Sequence, residues 1–146
     1  MILVVAWISF CGLPHGAFSA EITITDPEGS SIRWSSWLED HGPAAVVLWA
    51  SWVPDAEATV NELEGISRVA RSKELEMILV SVQESPDEAR SSLETAGVPW
   101  LNDRYGGLLK RFRVVKIPAM VIVEKDGRVV ARLDATANAL RVWKSE

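Results

Sequence analysis

Residues 44–58, AAVVLWASWVPDAEA, decide how the rest of the chain is read. Ala44 to Ala50 is an unbroken apolar run of the length expected for a strand buried on both faces. Pro54, Asp55 and Ala56 then open a helix that the spacing carries to about Lys73, with Pro54 at its first position and Asp55 in its first turn. Leu63, Ile66 and Val69 recur on one face, while Glu57, Glu62, Arg68 and Arg71 fall largely off it. A strand that feeds a helix N-terminus delivers unpaired N–H groups and a positive dipole end to one spot, where chemistry is often done. This junction carries no cysteine and no histidine.

Working outward, Ile22 to Thr25 alternates and stops at Asp26-Pro27-Glu28-Gly29, a short strand and turn. Ser30 or Ser31 reads as the cap of a helix through Ile32, Trp34, Trp37 and Leu38, ending before Gly42-Pro43. Large aromatics at that spacing are expected in a core rather than on a binding surface. Met77 to Val82 is a second buried strand. Ser85-Pro86-Asp87-Glu88 opens a helix with a cap, an early proline and acids in its first turn, ending at Ala96-Gly97. A short helix over Gly107–Phe112 leads to Ile117-Pro118. Ala119–Glu124 and Arg128–Leu133 form a hairpin around Asp126-Gly127. Thr136–Lys144 is a last helix, docking Leu140 and Trp143. The order predicts an α/β sheet with helices on both faces.

The chain has 146 residues, 48% of them apolar, which is one domain's worth of core. Fifteen Lys and Arg stand against 20 Asp and Glu, and the one basic cluster, Lys110, Arg111, Arg113 and Lys116, reads as a solvated face. Nucleic acid is therefore not an expected partner. Residues 1–20 contain no charged side chain, and their apolar run, Met1 to Leu13, falls short of the ~20 residues a membrane span needs. They read as a signal peptide or a short N-terminal anchor, so a periplasmic or secreted location is expected, with membrane contact only through that segment. Phe10 before Cys11 argues against lipidation. Cys11 is the only cysteine, so a chain trimmed after residue 20 has no thiol for exchange or zinc binding.

Other constellations fail. His41 is the only histidine beyond residue 20 and reads as a loop residue beside Gly42-Pro43. Glu62 and Glu64, two apart on a helix, face different ways and make no acid–base pair. Gly106-Gly107 lacks the spacing of a phosphate loop. Neither metal nor cofactor is expected.

Three segments, AAVVLWASW, LVSVQESPDEARSSLETAGVPW and GLLKRFRVVKIPAMVIVEKDGRVVARL, together resemble the thioredoxin-like fold, in the TlpA/ResA branch of thiol–disulfide oxidoreductases. The resemblance covers roughly residues 22–146, so residues 21–146 are expected to form one thioredoxin-like domain with a central mixed sheet. It implies a Cys-X-X-Cys pair at positions 53 and 56, and this chain has Val53-Pro54-Asp55-Ala56 there. The family's usual Glu and Pro further along the helix fall on Thr59 and Asn61. A helix-mouth thiolate attacks a disulfide and a second cysteine on the same face resolves it; valine and alanine do neither. The resemblance further implies that Ile117, before a cis-Pro118, offers its backbone to an extended peptide beside Trp52, a mode that needs no sulfur. The alternative is that Pro118 persists because the fold requires the bend. Three readings stand: a redox-inactive module binding an extended peptide or envelope protein, a thiol–disulfide oxidoreductase with a thiol from elsewhere, or a structural subunit or decaying pseudoenzyme.

Overall fold

Because β3 (Ala44–Trp49) is apolar at every position, it can sit only where both faces are covered. In the computed structural model, which describes residues 21–145, all six of its residues are fully buried. Ala45, Val47 and Trp49 point into one cluster with Leu63 and Ile66 of α2 (Ala56–Ser72), Leu93 of α3 (Pro86–Leu93) and Leu140 of α5 (Ala137–Val142). Ala44, Val46 and Leu48 point into the other, with Trp34, Trp37 and Leu38 of α1 (Trp34–His41) and Leu108 of α4 (Gly107–Arg111).

The sheet has seven strands: β1 (Thr23–Thr25), β2 (Ser31–Arg33), β3, β4 (Glu76–Val82), β5 (Trp100–Asp103), β6 (Ala119–Val123) and β7 (Val129–Leu133). Their order is β2-β1-β5-β4-β3-β6-β7. The β3, β4 and β5 strands run parallel, and β6 and β7 close one side antiparallel. The predicted mixed sheet with helices on both faces is the observed one.

Several local expectations change. Ser30 and Ser31 cap no helix; Ser31–Arg33 instead pairs antiparallel with β1, Ile24 facing Ile32. The α1 helix starts at Trp34, and the carboxylate of Glu21 accepts from the Ser35 amide and hydroxyl at 3.1 and 2.8 Å. Trp34 and Trp37 are core residues, their rings stacked 5.2 Å apart. His41 is not in a loop: it ends α1, its ring stacks on Trp37, and Nδ1 lies 3.0 Å from the Trp37 carbonyl. The strand Trp100–Asp103 was not expected at all. The α3 helix keeps its reciprocal Ser85–Glu88 cap but stops at Leu93, short of Gly97. The last helix spans only Ala137–Val142, capped by Thr136.

At the α1–β3 junction, the Gly42 amide donates to Leu38 O at 2.7 Å. A Cβ on residue 42 would lie 2.7 Å from that carbonyl and 3.2 Å from the Lys125 Cα, closer than packed atoms approach. The expected signal or anchor over 1–20, and Cys11 within it, lie outside the described residues.

Candidate functional site

The parallel strands β3, β4 and β5 end along one edge of the sheet, where open α/β sheets usually place their ligand sites. There β3 hands over to Ser51, Trp52 and Val53. The α2 helix begins at Ala56, not at Pro54, because Asp55 adopts a left-handed backbone (φ 57, ψ 33) that interrupts helical geometry. Aspartate tolerates this region better than most residues. Asp55 makes no side-chain cap, although its carbonyl accepts from the Ala58 amide at 2.9 Å. The buried Trp49 indole donates to Ala56 O at 3.0 Å and pins the helix start to the strand.

This local path sorts the side chains. Trp52 is 56% exposed, while Val53 is 6% exposed and belongs to the β3–α2 core cluster. Pro54 and Asp55 are exposed and Ala56 is half-buried. Both Ala56 and Ile117 pack against the cluster that contains Val53. The Ile117–Pro118 bond is cis, and Ala119 pairs with Leu48, which fixes the proline turn at the same sheet edge. Pro118 also lines an open cleft of ≈ 470 Å³ with Thr59 and Glu62 of α2, Lys116, and Asp134. So Val53, Ala56 and Ile117 share one core cluster, and Pro118 shares a cleft with Ala58 and Thr59 near the start of α2. Trp52 stands outside that core cluster and is exposed.

Among the described residues, the peptide groups of Val115, Lys116 and Ile117 make no hydrogen bond to another part of the chain. Val115 is wholly exposed.

Sequence reading missed the support beneath this edge. Glu84, only 4% exposed, follows β4 and accepts from Ser51 twice: the amide donates to Oε1 at 2.9 Å and the hydroxyl donates to Oε2. Asn102 of β5 donates to Glu84 O at 2.9 Å and to Ser81 Oγ at 2.8 Å. The next residue, Asp103, accepts from the Leu108 and Gly107 amides at 2.8 and 3.1 Å, tying β5 to the start of α4. Burial pushes its carboxyl above the ordinary aspartate range, and the amides at Leu108, Gly107 and Gly106 act against that rise. No local pattern signals these roles, because the Ser51–Glu84 pairing spans 33 residues.

Among the described residues no grouping of His, Cys, Asp or Glu is fit to hold a metal, and no helix is long and apolar enough to cross a membrane.

A sequence profile described as Thioredoxin-like matches residues 43–129. The thiol-disulfide oxidoreductase ResA of Bacillus thuringiensis subsp. konkukian is 22% identical over 122 residues, covering 81% of this chain and 68% of that one. Among solved structures, a secreted Mycobacterium tuberculosis disulfide oxidoreductase homologous to E. coli DsbE superposes with a TM-score of 0.58 at 21% identity, over 78% of this chain and 83% of that one. The dsbF protein of MTB, in mixed oxidised and reduced forms, gives 0.63 at 20% identity, over 83% and 90%. With the profile covering both β3 and the cis-proline turn, the chain belongs to the thioredoxin-like family.

Proposed function

We propose that this protein is a redox-inactive binding module that takes an extended segment of a partner protein along the Val115–Ile117 backbone, beside Trp52. The observation that carries this reading is the row of unpaired peptide groups at Val115, Lys116 and Ile117, next to a helix mouth with valine and alanine at positions 53 and 56. Strand addition draws its affinity from main-chain hydrogen bonds and its selectivity from side-chain pockets. A half-exposed tryptophan adds a rigid apolar surface for the partner to cover. The relatives' activity is thiol–disulfide exchange, and that chemistry needs a thiolate; here the single cysteine is Cys11. One relative is named as secreted and another as an exposed lipoprotein, which supports a place outside the cytoplasm, with residues 1–20 as signal or anchor.

The test has two arms. A cysteine-free random nonapeptide library displayed on phage should yield binders, and Trp52→Ala should weaken them about ten-fold or more. Insulin reduction by the protein should stay at the uncatalysed rate. Turnover above that rate removes the redox-inactive part of the reading, and a library that yields no binder removes the groove.

A further inference from the structure

The cleft beyond Pro118 has a charge pattern that selects its occupant. Its α2 wall carries Thr59 and Glu62, and its far wall carries Asp134, just after β7. Glu62 is held in place because its Oε2 accepts the Ala137 amide at 3.0 Å. Its Oε1 makes no hydrogen bond among the described residues. The Asp134 side chain is exposed and makes none either. Lys116 also lines the cleft, yet among the described residues it forms no ion pair with Glu62 or Asp134. Two carboxylates against one ammonium leave the cleft with a net charge of −1.

Thr59 is an independent sign of a ligand. It is 6% exposed, lines the cleft, and its hydroxyl has no hydrogen-bond partner among the described residues. The rest of the Thr59 side chain is packed away, and its hydroxyl opens to the cleft, where a donor that enters can reach the oxygen. A long cationic side chain satisfies all three groups at once: its stem covers the wall of α2 and Ala119, and its head donates to Thr59, Glu62 and Asp134.

We propose that this cleft is the selectivity pocket of the groove and takes a lysine or arginine side chain from the bound segment. This rests on the strand-addition reading above. A segment paired with Val115–Ile117 runs past Pro118, and alternate side chains of an extended strand point to one side, so one of them enters the cleft.

Sequences recovered from the cysteine-free phage library should share a lysine or arginine at one fixed position. Synthetic copies with norleucine there should bind about five-fold more weakly in fluorescence anisotropy, and the difference should shrink as salt is raised. Glu62→Gln keeps an acceptor for the Ala137 amide while removing charge, and Asp134→Asn is an exposed change that leaves the fold intact. Each should reduce the lysine-to-norleucine affinity ratio, and together they should bring it near one. Recovered peptides that depend on Trp52 but lack a basic position, or that bind equally well with norleucine, overturn the pocket and leave the groove standing. A library that yields nothing overturns both.

Discussion

The carboxylate of Glu84 receives both the amide and the hydroxyl of Ser51, so the loop leaving β3 is fastened to the loop leaving β4 immediately before Trp52. Trp52 is therefore presented from a braced turn, although its own side chain is mostly outside the core. For the proposed groove, such a braced turn would lower the ordering cost of binding.

That brace predicts a measurable loss. Glu84→Ala leaves the Ser51 amide without its acceptor in a buried setting, and urea unfolding should show a decrease of about 2–3 kcal/mol. Glu84→Gln, which retains one acceptor oxygen, should lose less. Equal and negligible losses for both would mean that the pairing contributes nothing to the fold.

Asp103 predicts a stability slope of a particular sign. Burial raises its folded-state pKa above the ordinary aspartate value of 3.8. As pH rises, the unfolded chain gives up this proton first, so its contribution is fully present below about 3.8 and is lost as pH climbs through the folded value. Subtracting the unfolding free energy of Asp103→Asn from that of the parent, between pH 3 and 7, cancels the carboxylates common to both. The difference should fall with rising pH, and a rising difference contradicts the burial argument.

Glu21 predicts the opposite slope. Its bonds from the Ser35 hydroxyl and amide hold its carboxyl below the ordinary value of 4.5, outweighing a small opposing effect of burial. The stability it lends α1 is present above about 4.5 and is lost as pH falls through the folded value. The parent-minus-Glu21→Gln difference should therefore grow with pH over the acid range. Because Glu21 is exposed, the change should be small and should weaken in high salt. A flat difference at low salt would remove the capping role.

Restoring sulfur tests whether positions 53 and 56 are the counterparts of the relatives' cysteine pair. The double variant Val53→Cys, Ala56→Cys should form an internal disulfide, seen as loss of free thiol on titration. It should also reduce insulin above the uncatalysed rate. Two cysteines that stay reduced under mild oxidant in a folded protein would show that positions 53 and 56 are not the counterparts of the relatives' pair.

The long apolar strands were legible because covering both faces leaves no polar position to confuse the pattern: Ala44–Trp49 and Met77–Val82 read directly. Trp100–Asp103 did not read, because half of it is polar. Asn102 and Asp103 are tolerated inside only through Ser81, the Glu84 carbonyl and the α4 amides, partners distant in sequence or not recognisable as such. Ser31–Arg33 misread for a similar reason, since two serines before a tryptophan-rich helix imitate a cap while the strand is imposed by β1. At the site, positions 52–56 and 117–118 came from resemblance to the family, and the structure adds what spacing does not encode: the left-handed Asp55, the inward Val53 and the tether from Glu84.

Gly42 lies just before β3, at the opposite end of that strand from Trp52. In a saturation-mutagenesis survey this position should be depleted of every substitute, as severely as any contact residue of the groove. That depletion would report clearance to the Leu38 carbonyl and the Lys125 backbone. It gives such a survey an internal yardstick: losses at 42 measure failed folding, and only losses that exceed the accompanying drop in protein abundance speak of a partner.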